Sequence, residues 1–146
     1  EVDLNDCATQ RPLNEDGRRT SAMIGRALRK NRIPIGEILV SPYCRALDTA
    51  TLAFGKDYTV DAGLAYSSNL TTEEKAPLLK VLRHLLTTPV PLGSNRVIVA
   101  HAPNLADLIG YFIAPEGTVA IFRPGREGEP EYVASIPPQR WQTLKD

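Results

Sequence analysis

The chain is poor in the residues that build metal sites and staples. It holds two cysteines, Cys7 and Cys44, and two histidines, His84 and His101. The cysteines lie far apart and lack the close spacing of a zinc knuckle, so no metal site is expected. They fit either two reduced thiols or one long-range disulfide, and spacing does not choose between these. A cytoplasmic location goes with free thiols; export to a periplasm or beyond goes with a bridge. Net charge is also missing: 17 Lys and Arg balance 17 Asp and Glu. Both signs are scattered, so neither nucleic acid nor an acidic membrane surface has an electrostatic claim as a partner. No apolar run approaches the ~20 residues of a bilayer span. Internal repeats and low-complexity tracts are absent. No secretory signal peptide is visible at Glu1, where the sequence begins without a Met.

What is present suits one domain over residues 1–146, long enough to bury a core without staples. Asn14 can cap a helix whose first turn holds Glu15 and Asp16. Ala22, Met23, Ile24, Ala27 and Leu28 recur at helical spacing, and Asn31 and Pro34 mark the stop. Residues 35–40 read as a short buried strand broken by Pro42, and residues 43–54 as a helix ended by Gly55. Tyr58 to Val60 reads as a further short strand. Thr71 and Glu74 have capping-box spacing ahead of Leu78, Leu79, Leu82, Leu85 and Leu86. Pro77 is awkward there, and the regular helix is expected to begin at it, after one loose turn. Arg96 to Ala100 is the clearest strand. Another helix opens at Pro103 or Asn104. Residues 119–122 and 132–136 form two strands of a hairpin. Alternating strands and helices make this an α/β domain, three-layer α/β/α, with a mostly parallel sheet to which the C-terminal hairpin adds an antiparallel part.

In open α/β sheets, ligands bind beyond the carboxyl ends of the strands. Arg45 follows the strand ending at Val40, and His101 follows the strand ending at Ala100. Each is succeeded by a helix whose first turn offers unpaired N–H groups and a positive dipole end. A guanidinium, an imidazole and helix N-termini facing one crevice make an anion site. Phosphate is the obvious anion, because an Arg fork matches its oxygens. The plainer alternatives are that Arg45 pairs with Asp48 and His101 caps a helix. His84, among leucines, reads as a surface or partly packed residue. Ser41 and Cys44 are nucleophile types, but no base is placed for either.

Three segments taken in order sharpen the choice: "RPLNEDGRRTSAMIGRALRK", "ILVSPYCRALDTA" and "VIVAHAPNLADLIG". The series, from about Arg11 to Ile113, resembles the histidine phosphatase (phosphoglycerate mutase-like) superfamily. That family has a Leu-Thr-x-x-Gly helix start, then Ser-Pro-x-x-Arg-Ala-x-x-Thr-Ala, then an apolar strand ending in His. Leu13 to Gly17, Ser41 to Ala50 and Val97 to His101 match it here. "VASIPPQRW" also looks like some small members. The resemblance implies that Arg45 binds phosphate and that His101 is the second active-site histidine. Arg11 and Asn104 would be rim contacts with substrate, and Cys44 would face the core. It further implies a phosphorylated small molecule or phosphoprotein as partner, and no cofactor.

The family's first motif, a strand ending in Arg-His-Gly whose His becomes phosphorylated, has no counterpart before Leu13. In the resemblance that strand lies mid-sheet, between the strands carrying the arginine and the second histidine. Its loss would leave two buried edges unpaired. The expectation is therefore an N-terminally truncated domain with its nucleophile upstream of Glu1. A partner strand filling the gap or a rearranged sheet is the other option. The implied activity is hydrolysis of a phosphomonoester or phosphoamide through phosphohistidine. The segment from Lys56 to Leu70 is short and offers no general-acid motif, which leans toward a small phosphatase. The alternative is a non-catalytic phosphoryl-binding or interaction domain that lacks the nucleophile.

Overall fold

A strand three residues long can serve two cores if its side chains alternate, and this one does. In the computed structural model, which describes residues 2–143, β1 (Ile38–Val40) is buried along its whole length. Ile38 and Val40 point to one face, against Ala46, Ala50, Leu47 and Phe54 of α2 (Cys44–Phe54). Leu39 points to the other, where Leu64 and Leu82 are buried with Leu85, Leu86, Leu105 and Leu108 around them. The period of two along a strand thus places helices on both faces. The architecture is the expected three-layer α/β/α arrangement.

The parallel sheet runs β2 (Thr59–Val60), β1, β3 (Val97–Val99). Ile38, Leu39 and Val40 stand opposite Val97, Ile98 and Val99. Two expectations change here. The strands carrying Arg45 and His101 pair directly, so no strand fits between them. The hairpin of β4 (Val119–Pro124) and β5 (Pro130–Ile136) is antiparallel as expected, but it pairs only with itself among the described residues. Among the described residues the far side of β3, like that of β2, is an unpaired edge, which explains why its residues are only half-buried despite their unbroken apolar run.

The helices follow their caps. In α1 (Glu15–Lys30) the Asn14 side chain accepts from the Gly17 N–H at 2.7 Å. Glu15 and Asp16 lie at its positive end, and Arg29 and Lys30 at its negative end. In α3 (Thr72–Thr87) Thr71 and Glu74 form both bonds of a capping box, 3.1 and 3.0 Å. Pro77 does not delay this helix. It sits on the exposed side, where the carbonyl of exposed Glu73, left without its N–H partner, can turn to water. The strands are shorter than expected. Before β1, the Gly36 N–H donates to Asn95 O at 2.8 Å and the Asn95 amide donates to Pro34 O, so residues 35–37 are drawn into a loop contact.

Candidate functional site

The site forms where β1 and β3 end side by side. Ser41 leaves β1, its N–H donating to Val99 O at 2.9 Å, which carries the pairing one step past the strands. Pro42 then stops the strand and Tyr43 begins α2 from an extended conformation. Arg45 lies in the first turn of α2. Beyond β3, His101 occupies the N-cap position of α4 (Ala102–Ile109) with no side-chain cap bond. Its ring is free to point elsewhere, and it points at Arg45: Nη2 of Arg45 lies 3.3 Å from His101 Nδ1. The two groups are 56 residues apart in sequence and converge because their strands are neighbours in register.

Aromatic rings enclose this pair. The Arg45 guanidinium lies 5.0 Å from the Tyr43 ring centre and 5.1 Å from that of Tyr66, within cation–π range. The same rings meet His101 edge-on at 5.2 and 5.4 Å. On its other side, His101 Nε2 lies 2.7 Å from Ser41 Oγ, which also accepts from the Tyr43 N–H at 3.2 Å. Ser41 is fully buried and His101 nearly so.

The electrostatics are those of a cationic site. No carboxylate among the described residues forms an ion pair with Arg45; Asp48 faces Arg18 instead, at 3.9 Å. Burial, and next the like charge of Arg11, lower Arg45 from its ordinary value, while Tyr43, Tyr66 and Glu116 oppose this. An arginine so placed still stays charged. Burial, then the neighbouring Arg45, push His101 down to about 4, so its imidazole is neutral near pH 7. A phosphoryl dianion would complement what the protein leaves unbalanced.

The other candidates fall around this pair. Arg11 is exposed and pairs with exposed Glu116 at 3.3 Å, close enough to act on Arg45 through its charge. Asn104 lies beneath the surface and not on a rim: 2% exposed, its amide is occupied by protein. Its Oδ1 accepts from the Ser67 hydroxyl (2.8 Å) and N–H (3.1 Å), and its Nδ2 donates to Ala65 O at 2.7 Å. Asn104 thereby hooks the loop carrying Tyr66 to α4. His84 is exposed on α3, its Nε2 lying 3.4 Å from the Thr88 hydroxyl.

Cys7 and Cys44 are joined, so of the two readings left open by their spacing the bridge is the one observed. It ties the turn Cys7–Thr9 to the first residue of α2. Beside it, buried Gln10 accepts from the Cys44 N–H at 2.8 Å and donates to Asp3 O at 3.0 Å. Gln10 caps α2 from a distance, in place of the absent side-chain cap at Tyr43. Gln10, Tyr66 and Ser67 carry no sequence signal for these roles. Ser41 and Tyr43 lie inside the "SPYCR" stretch, where the proximity to Arg45 was a usable clue.

Among the described residues no group of three or more His, Cys, Asp or Glu could hold a metal ion, and no helix is long and apolar enough to cross a membrane. No protein-family model and no curated protein matches the chain. Among solved structures it is similar to the protein histidine phosphatase SixA in complex with tungstate. The two share 19% identity over 89% of this chain and 86% of that one, with a TM-score of 0.67. At this identity the likeness is one of fold.

Proposed function

We propose that Arg45 and His101 bind a phosphoryl group and that the protein is a phosphatase of the histidine phosphatase kind. The observation that carries this reading is their 3.3 Å approach in an aromatic enclosure where no carboxylate of the described residues forms an ion pair with Arg45. The fold shared with SixA, named as a protein histidine phosphatase, supports it, as does the Ser41–Ala50 segment. The nucleophile is a histidine upstream of Glu1, on a strand added to the open edge of β3. That strand would end beside His101. Among the described residues β3 pairs only with β1 and β4 only with β5, which supports this seat.

The reaction has two steps. The upstream imidazole attacks phosphorus, a P–N bond forms as the bond to the leaving group breaks, and that group takes its proton from solvent. Water then attacks phosphohistidine and releases inorganic phosphate. In both steps Arg45 and a protonated His101 hold the equatorial oxygens where negative charge spreads. Arg11 adds positive charge at the entrance, and Asn104 acts by holding the Tyr66 loop. The substrate is a phosphorylated small molecule or phosphoprotein. The bridge between Cys7 and Cys44 supports an oxidising compartment, which mass mapping under non-reducing conditions would test.

The second reading, a phosphoryl-binding domain without turnover, is favoured by one observation: the only other histidine, His84, is exposed on α3 with its ring against Thr88. The residues encoded before Glu1 separate the two. With an apolar strand ending in Arg-His, the extended protein should hydrolyse p-nitrophenyl phosphate. Arg45→Ala or His101→Ala should each cut turnover roughly 10²–10³-fold. Undiminished turnover in both variants, or no thermal shift with tungstate, would refute the phosphoryl site.

A further inference from the structure

Ser41 has no place in the chemistry above, yet it is fully buried and makes the shortest contact to His101, 2.7 Å from Oγ to Nε2. The donor and acceptor roles at this ring can be worked out from its neighbours. A guanidinium has donors only, so His101 Nδ1, facing Arg45 at 3.3 Å, must present its lone pair. A neutral imidazole carries one N–H, which therefore sits on Nε2 and donates to Ser41 Oγ. The Ser41 oxygen has room for this second bond, because the Tyr43 N–H takes only one of its two lone pairs.

We infer that Ser41 is a positioning residue that holds His101 as the Nε2–H tautomer, so that Nδ1 is the atom that takes up a proton when an oxyanion arrives beside Arg45. This rests on the phosphoryl-site reading for its ligand. Ser41 accepts from Nε2–H in the neutral and in the charged ring alike, so the imidazole need not flip. Binding of a dianion adds a proton from solvent to Nδ1, which changes from a lone pair facing a guanidinium to an N–H facing the ligand. The groups around the ring are Arg45 from α2, Tyr43 just before it and Tyr66 from the loop under α4; Arg11, paired with Glu116, stands next to Arg45. All except Glu116 are cationic or neutral, so an incoming dianion has the largest effect on Nδ1.

The proton count follows. His101 is neutral in the free protein above about pH 4. Tungstate should therefore bind with uptake of about one proton near pH 7, and its affinity should fall about tenfold per pH unit while the bound ring stays charged. Calorimetry in buffers of different ionisation heat reads the uptake. Nitrogen-15 spectra of the free protein read the tautomer, with His84→Gln assigning the two rings. Expected are an N–H signature at Nε2 and a bare Nδ1 in the wild type. Arg45 favours this tautomer from the Nδ1 side and Ser41 from the Nε2 side. Ser41→Ala leaves a buried Nε2–H without its acceptor, a cost that competes with the Arg45 preference, so it should mix the two tautomers and weaken tungstate binding about 10- to 100-fold. If Ser41→Ala does not fold, Ser41→Cys, similar in size but a weak acceptor, provides the comparison. A wild-type proton on Nδ1, or a Ser41 variant with tautomer and proton uptake unchanged, would overturn the inference. Failure of tungstate to bind, with an Nε2–H that Ser41→Ala disperses, would refute the phosphoryl reading and leave the positioning role standing.

Discussion

His101 holds a ring whose ionisation the fold opposes. Its pKa falls from 6.5 to about 4, chiefly by burial and then by Arg45. The native state therefore prefers the neutral ring, while the unfolded chain protonates near 6.5. Stability from this source is present above about pH 6.5 and is lost as pH falls toward 4, a span of order 3 kcal/mol. Urea unfolding at pH 7 and pH 4.5 should show the wild type losing about 2–3 kcal/mol more than His101→Gln. Equal losses would mean that the ring is not held neutral. Arg45→Lys should keep the charge but lose the fork and its place between Tyr43 and Tyr66, weakening tungstate binding about tenfold or more; unchanged affinity would argue that a point charge suffices. At this scale the sequence was legible where a residue's position follows from its place after a strand, as for Arg45 and His101, which meet beyond the paired ends of β1 and β3. It was not legible where the role depends on a distant partner. In sequence Ser41 reads only as a nucleophile type because its ring partner comes 60 residues later, and Asn104 as a rim contact because its loop partners lie 37 and 39 residues earlier.

The elements meet closely at a few points that decide their spacing. Gly25 of α1 is buried against α2, and a Cβ there would lie 2.1 Å from Ala53 O. Gly25→Ala must therefore push α1 from α2, and a cost of about 1–3 kcal/mol is expected in a denaturant melt. Helix propensity alone would give the opposite sign, a gain of about 1 kcal/mol, so stabilisation would contradict this approach. Asn104→Ala leaves the buried Ser67 N–H and the Ala65 carbonyl without this partner, at a cost of about 1–3 kcal/mol per group left unpaired. It should also loosen Tyr66 and lower tungstate affinity; a stability loss with unchanged affinity would separate the hook from the site. Helix limits were readable because caps are local chemistry, as Asn14, Thr71 and Glu74 show. Strand limits were not, because residues 35–37 lose their strand to contacts with Asn95.

The described residues form one parallel sheet between helices and a hairpin paired with itself, with the N-terminal turn bridged to α2. The bridge spans 37 residues and stabilises by about 4 kcal/mol on the chain-entropy account. Replacing both Cys7 and Cys44 by serine should lower stability by that order, and an unchanged unfolding midpoint would contradict it. The α/β class was legible from alternating patterns, but the strand order was not. Short apolar strands such as β1 and β3 carry no label for their neighbours, so their direct pairing appears only once the chain is folded. That pairing brings Arg45 to His101, and the functional account depends on it. Crystals grown with tungstate test it most directly through the anomalous signal of the metal. A peak in contact with the Arg45 guanidinium and His101 Nδ1 is expected; a bound tungstate elsewhere, with these two groups untouched, would contradict the account.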